Sequence, residues 1–205
     1  MKKRTLSTTV LLAILGAWAI VLRMFDFPIL PAAPFLKVDF SDLMVLVGLL
    51  VNGPIGAVTV ALIRDVANYL MKGGESGLPI GVIMSFTASM AMFLPTHFLL
   101  KYATNMKPNV RKIWMSIILV VGLVISMGLL NYYVTLPIYI TVMNFPIDNI
   151  AAYLLSVIVP FNFIKGVILA AGQFIVVEKL WPIIKKYHID FPGYQLLNQV
   201  HRPTI

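Results

Sequence analysis

Six apolar stretches alternate with short clusters of proline, glycine and charge along the chain, at about residues 6–25, 39–51, 54–72, 78–102, 113–137 and 150–181. A helix that crosses a bilayer needs about 20 predominantly apolar residues, and most of these stretches reach that length. The pattern predicts an all-α protein, an integral membrane bundle of six helices forming one transmembrane domain over residues 1–205. The second stretch has only about 13 residues, so it is expected to tilt or to be buried among its neighbours. The sixth exceeds one span, and Pro160 is expected to kink or break it.

The connections are uneven. Between Asp26 and Val38 stand Pro28, Pro31 and Pro34, which rule out a regular helix and favour an extended, ordered segment. Its apolar residues (Phe27, Ile29, Leu30, Phe35, Leu36) suit a lid or a binding-site wall better than a solvated linker. Asn52-Gly53-Pro54 reads as a tight turn and Gly73 to Gly77 as a flexible one. The tail from Lys185 is polar and is expected to be peripheral.

Polar residues inside the apolar stretches are the candidate chemistry. Asn162 and Lys165 stand three apart and share a helix face. Asn131 lies in the preceding stretch, with Thr135 four residues on. An ionisable group within a span is costly, and its default reading is a functional site. Two amides and an ammonium among aromatics can ring a flat heteroaromatic ligand. A structural alternative is that Asn162 and Lys165 satisfy backbone carbonyls freed by Pro160.

Arg64 and Asp65 place adjacent opposite charges within the third stretch. Sequence neighbours point to different helix faces, so each is expected to need its own partner, with Asp42 a candidate for Arg64. Asp39 and Asp42 otherwise suit a helix N-terminus. Thr9, Ala13 and Ala17, spaced by four, form a stripe of small side chains. Such a stripe either packs the first helix within its own bundle or lets a partner helix approach. Gly53, Ala57 and Ala61 form a second stripe.

Composition agrees with a membrane protein: 60% of the 205 residues are hydrophobic and 12% charged, against about a quarter charged in soluble domains. The net charge of +8 would suggest nucleic acid in a soluble protein, but here its distribution reports topology. With the N-terminus inside, eleven basic residues flank the spans on the inner side and three (Arg23, Lys37, Lys72) on the outer. The positive-inside rule then makes both termini cytoplasmic. Asn131, Asn162, Lys165, Lys37 and the proline-rich loop fall in the outer half. Met1-Lys2-Lys3-Arg4 resembles the start of a signal peptide, but the following run is span-length without a convincing cleavage site, and it reads as a retained helix.

Several chemistries are excluded. The chain has no cysteine, hence no disulfide or thiol catalysis. It has no Walker A sequence, His-Glu-x-x-His or dinucleotide fingerprint. His97, His188 and His201 have no second ligand at metal spacing, so no metal is expected. No enzyme activity is expected, and active uptake would need an ATP-hydrolysing partner. A small bundle with an outward pocket and small-residue faces reads as a binding subunit that docks onto something else.

Taken in order, Lys37-Val38-Asp39-Phe40-Ser41-Asp42-Leu43, Gly53-Pro54, Arg64-Asp65, Asn131-Tyr132-Tyr133 and Asn162-Phe163-Ile164-Lys165-Gly166 resemble the riboflavin-binding S component of energy-coupling-factor (ECF) vitamin transporters. Met44 departs from it, standing where proline follows Ser-Asp-Leu. The resemblance covers nearly the whole chain. It implies a six-helix bundle in the bacterial plasma membrane that captures riboflavin outside the cell, with no cofactor beyond that transported ligand. A transmembrane coupling subunit (T component) and two cytoplasmic ATPase subunits would drive import, the S component toppling in the bilayer to deliver its ligand. The family's ring-binding amides and lysine match Asn131, Asn162 and Lys165, and its small-residue docking motif matches Ala13 and Ala17, with Thr9 in the same stripe. An amide can meet both the carbonyls and the N–H of the isoalloxazine edge. Phe35, Leu36, Tyr132 or Phe163 would sandwich the ring, and Lys37, Asp39 or Thr135 would reach the ribityl hydroxyls. The alternatives are an S component for another vitamin or for FMN, and a small polytopic membrane enzyme.

Overall fold

The computed structural model describes residues 2–31, 33, 36–74, 77–103, 106–187 and 189–194. Among them, five helices are long and apolar enough to cross a membrane: Ser7–Met24, Ser41–Lys72, Ile80–Tyr102, Pro108–Met143 and Ile150–Lys186. We label α1 Lys2–Met24, α2 Ser41–Lys72, α3 Ile80–Tyr102, α4 Pro108–Leu130, α5 Leu136–Met143, α6 Ile150–Tyr153, α7 Val159–Ile175 and α8 Trp181–Lys186. α4 begins at Pro108 rather than near residue 113, because a proline in the first helical turn gives up no hydrogen bond.

The proline-rich connection is extended only at its ends; between them the Ala33 N–H donates to the Leu30 carbonyl at 3.1 Å and the Leu36 N–H to the Ala33 carbonyl at 3.0 Å, so the chain turns there. Its two ends pair as a minimal antiparallel ribbon, β1 (Phe27–Pro28) against β2 (Lys37–Val38). Pro34 and Phe35 lie outside the described residues.

α2 is a hairpin. Asn52 (φ −133°, ψ 24°) and Gly53 (φ 60°, ψ −151°) leave the helical region, and the latter conformation is open essentially to glycine alone. The two arms then touch, since a Cβ on Gly56 would lie 2.0 Å from the Gly48 carbonyl oxygen. In a straight helix, residues eight apart lie about 12 Å apart. The first arm, residues 41–51, is about 16 Å long and too short to face lipid alone. It is accordingly central, with Leu46, Leu49 and Leu50 fully buried among Met92, Leu119 and Leu169.

Three turns in the last two long helices widen to π geometry: Asn131–Thr135, Leu154–Ile158 and Val176–Leu180. Each precedes a residue-proline pair. Leu136, Val159 and Trp181 donate their N–H five residues back, to Asn131, Leu154 and Val176, directly before Pro137, Pro160 and Pro182. A proline cannot donate and its ring crowds the carbonyl four residues earlier; widening the turn by one residue relieves that. The break expected at Pro160 is therefore a π turn, and the helix continues through it.

The tail is not peripheral over its described length. Phe191 N–H donates to the Leu50 carbonyl at 2.9 Å, and Tyr194 is buried with its hydroxyl paired to His97 Nδ1. Burial pushes the Tyr194 phenol above its ordinary range, so it remains a neutral hydroxyl.

The arms of α2 are cross-linked by charge. Arg64, fully buried, donates from Nη1 to Asp42 Oδ1 at 2.7 Å and from Nε and Nη2 to the two oxygens of Asp65 at 2.9 and 3.0 Å. The expected Arg64–Asp42 pair is present. Arg64 and Asp65 do not need wholly separate partners, however, because the long guanidinium folds back onto its neighbour. Ser85 and Ser89 of α3 accept from Arg64 Nη2, each at 2.9 Å, and donate to Asp65 and Asp42. Arg23 closes the cluster from α1, 3.3 Å from Asp65. Removing one member of a buried pair costs about 3–5 kcal/mol by stranding the other charge. Arg64→Ala is therefore expected to lower the unfolding temperature of the detergent-solubilised protein sharply. An unchanged transition would contradict this account of what joins α1, α2 and α3.

Candidate functional site

The open end of the α2 hairpin, the β1–β2 ribbon and the widened turns of the last two long helices surround a cavity of about 590 Å³, within the range of small-molecule sites. The side formed by the last two long helices is largely apolar, contributing Leu123, Met127, Leu136, Ile158 and Phe161 along with Asn131, Asn162 and Lys165. The other side is strongly polar, with Arg23, Asp26, Lys37, Asp39, Asn68, Lys72 and Ser85. A cavity so divided fits a ligand with a flat, weakly polar body and a hydroxyl-rich or charged arm.

One amide, Asn131, stands in a widened turn and the other, Asn162, in the first turn of α7 after one. Asn131 opens the first π turn and Thr135 closes it; both are buried, while Tyr132, Tyr133 and Val134 between them are exposed. Asn131 Nδ2 donates to the Met127 carbonyl at 2.7 Å and Asn162 Nδ2 to that of Ile158 at 2.8 Å. The carbonyl Asn162 meets lies two residues before Pro160, so this contact does not compensate for the proline's missing donor, which would serve a carbonyl four residues back. Each amide keeps its oxygen and one N–H for a ligand. Thr135 Oγ1 sits 3.0 Å from Met84 Sδ.

Lys165 lies within electrostatic reach of Asp42. Among the described residues it has no ion pair or hydrogen bond, so its ammonium is left on the cavity lining without a direct partner. Such a donor is available to a ligand carbonyl or ring nitrogen.

At the mouth, Asp26 accepts from Lys37 at 3.0 Å and from Lys72 at 3.4 Å, tying the ribbon to the end of α2. Asp39, just inside, accepts from the Ser41 N–H at 2.8 Å and from its hydroxyl, which anchors the start of α2.

Asn131, Asn162, Lys165, Lys37, Leu36, Asp39 and Thr135 all line this one cavity. Tyr132 does not: it is 39% exposed, because Asn131 and Thr135, four apart, share the helix face turned to the cavity and their sequence neighbours point elsewhere. Phe163 is exposed as well, and Phe35 lies outside the described residues. Arg23, Asn68, Lys72 and Ser85 join the cavity unforeseen. Arg23 and Lys72 register in the sequence only as span-flanking charges, and nothing there reveals that α1 and α2 bring them to one mouth. The small-residue stripes also part company. Ala57 and Ala61 are buried within the bundle, whereas Thr9, Ala13 and Ala17 are exposed on the side of α1 away from Leu12, Leu15 and Gly16.

The mouth carries a pH signature. Burial alone would raise the Asp26 carboxyl, but hydrogen bonds and charge from Lys37 and Lys72 outweigh it and hold the group below its ordinary value of 3.8. With its folded pKa lowered, the clamp contributes fully above the unfolded value and is lost as pH falls through the folded one. The ribbon is expected to keep its hydrogen-exchange protection down to about pH 4 and to lose it only below, after correction for intrinsic rates. Asp26→Asn is expected to show the loosened ribbon at every pH. Equal protection in the variant and the parent above about pH 4 would contradict the clamp.

The sequence also has relatives. A family model described as "ECF transporter, substrate-specific component" matches residues 7–177. The chain is 31% identical over 183 residues to "Riboflavin transporter FmnP" of Bacillus subtilis (strain 168), covering 86% of this chain and 93% of that protein. It is 34% identical over 180 residues to "Riboflavin transporter RibU" of Streptococcus thermophilus, covering 85% of this chain and 83% of that one. A solved structure described as "Structure and mechanism of the S component of a bacterial ECF transporter" superposes with a TM-score of 0.72 at 28% identity, over 88% of this chain and 99% of the other.

Proposed function

The chain belongs to the family of ECF-transporter substrate-specific components, and from that membership we propose how it binds and hands over its ligand. It is a riboflavin-specific S component, a membrane-embedded transport protein and not an enzyme. The observation that supports the binding mode is the mixed cavity lining, in which the last two long helices bring two amides and an ammonium among apolar side chains while α1, α2 and the ribbon bring charges. In this reading the isoalloxazine ring lies in the apolar half. Its carbonyl and N–H edge meets Asn131 and Asn162, Lys165 donates to a ring acceptor, and Leu36 and Phe161 cover the faces. The ribityl chain points to the mouth, where Lys37, Asp39 and Thr135 reach its hydroxyls. Tyr132 has no part.

With the arms of α2 read as two segments the bundle has six, the first arm buried rather than spanning, and the distribution of basic residues supports cytoplasmic termini in a bacterial cell. The cavity then opens outward and captures riboflavin from outside. The exposed stripe of Thr9, Ala13 and Ala17 supports docking of α1 on a transmembrane coupling subunit, with two cytoplasmic ATPases supplying the energy that this chain has no motif to harvest.

Riboflavin titrated into the detergent-purified protein is expected to quench tryptophan fluorescence saturably. A hydrogen bond to a charged group contributes about 1.5–3 kcal/mol, so Lys165→Ala is expected to weaken binding roughly 10- to 150-fold. Asn162→Ala is expected to have a smaller effect in the same direction, and Tyr132→Ala almost none. Saturable binding that survives Lys165→Ala and Asn162→Ala intact would refute the site. Ala13→Leu combined with Ala17→Leu is expected to leave riboflavin titration unchanged while abolishing co-purification with the coupling subunit. Retained co-purification would contradict docking through this face.

A further inference from the structure

The end of the α2 hairpin remote from the cavity is closed by the C-terminal segment, and the contact is specific. In an unbroken helix the Leu50 carbonyl would accept from the backbone N–H of residue 54, which is Pro54 and has none. Phe191 N–H takes that place at 2.9 Å. The Phe191 ring lies over the turn so closely that a Cβ on Gly53 would sit 2.7 Å from it. Gly53 thus meets two demands, a positive φ and room for a ring. Phe191 packs at a tilt against Tyr194, with ring centroids 5.0 Å apart, and both rings meet His97 of α3 edge-on, at 5.8 and 5.7 Å. Tyr194 OH pairs with His97 Nδ1. Residues 189–194 therefore join the hairpin tip to α3 at one end of the bundle.

The same two elements meet again at the other end. There Asp42 of the first arm, Arg64 and Asp65 of the second, and Ser85 and Ser89 of α3 form the buried cluster beside the cavity. Two rigid arms and α3 fixed at one end have little freedom at the other. From this geometry we propose that Phe191 and Tyr194 are positioning residues for the ligand cavity. They touch no ligand and act through the α2 hairpin, holding its arms in the register at which Asp42, Asn68 and Lys72 face the cavity together. By reciprocity of linkage, a ligand that tightens the open end also tightens the tail on the tip.

The test has two arms, one of which needs no ligand. In the ligand-free protein, Phe191→Ala, which keeps the backbone N–H but removes the ring from the turn, is expected to speed amide exchange at residues 41–47 and 64–68 as well as at the tip, while Phe191→Leu, which keeps an apolar filler there, restores most of the protection. Faster exchange confined to residues 50–56 would overturn the proposal. This arm stands or falls independently of the ligand's identity. The second arm rests on the riboflavin reading: Phe191→Ala is expected to weaken riboflavin binding roughly fivefold or more, again with recovery in Phe191→Leu. Leu12→Ala, a buried truncation in α1, is expected to lower the unfolding temperature without that loss. If Phe191→Ala does not fold, Tyr194→Phe, which removes only the hydroxyl paired to His97, is measured instead and is expected to shift exchange and affinity in the same direction. Affinity within twofold of the parent in a folded tail variant would overturn the proposal. Failure of the parent itself to bind riboflavin would instead count against the functional reading, leaving the exchange arm to decide this one.

Discussion

The buried guanidinium of Arg64 is the constraint on which the rest depends. An ion in a bundle of apolar helices is tolerated only where its hydrogen bonds are met by partners that bring compensating charge. Here Asp42, Asp65, Ser85 and Ser89 provide them, and they come from both arms of α2 and from α3. Satisfying Arg64 therefore fixes how three segments meet, and the cavity lies where they meet. Asp42 belongs to both the cluster and the cavity wall, so the structural ion pair and the ligand site are contiguous.

A second constraint shapes the facing wall. Three prolines late in the chain each force a wide turn on the residues before them, and the first such turn holds Asn131 and Thr135, which line the cavity, and Tyr132, which is exposed. The wide turns let the helices continue where a sharp kink would have opened backbone groups to lipid. Two of the polar residues lining the cavity, Asn131 and Thr135, thus sit in a local backbone irregularity of a kind that is common at functional sites.

Much of this was legible in the sequence, because the bilayer limits what an apolar segment can do. Span-length runs, the turn at Asn52-Gly53-Pro54, the Arg64–Asp42 pairing and the convergence of Asn131, Asn162 and Lys165 follow from length, turn chemistry and the cost of buried charge. What was not legible depends on rotation and long-range placement. Adjacency to Asn131 suggests Tyr132, but neighbours on a helix point to different faces, and only the rotation of the helix in the bundle decides which of the two faces the cavity. Arg23 and Lys72 read as topology markers because nothing local brings them to the cavity mouth. The tail read as peripheral because its composition is mixed. Phe191 and Tyr194 acquire their roles only once Pro54 leaves the Leu50 carbonyl without its helical donor.

A structure of the protein with riboflavin bound would test the central claim most directly. The account predicts the isoalloxazine ring in the apolar half of the cavity, its polar edge in hydrogen-bond contact with Asn131, Asn162 and Lys165, and its ribityl chain directed to the mouth beside Lys37 and Asp39. A ring bound at the charged mouth, or riboflavin seated elsewhere on the bundle with Lys165 still unpaired, would contradict it.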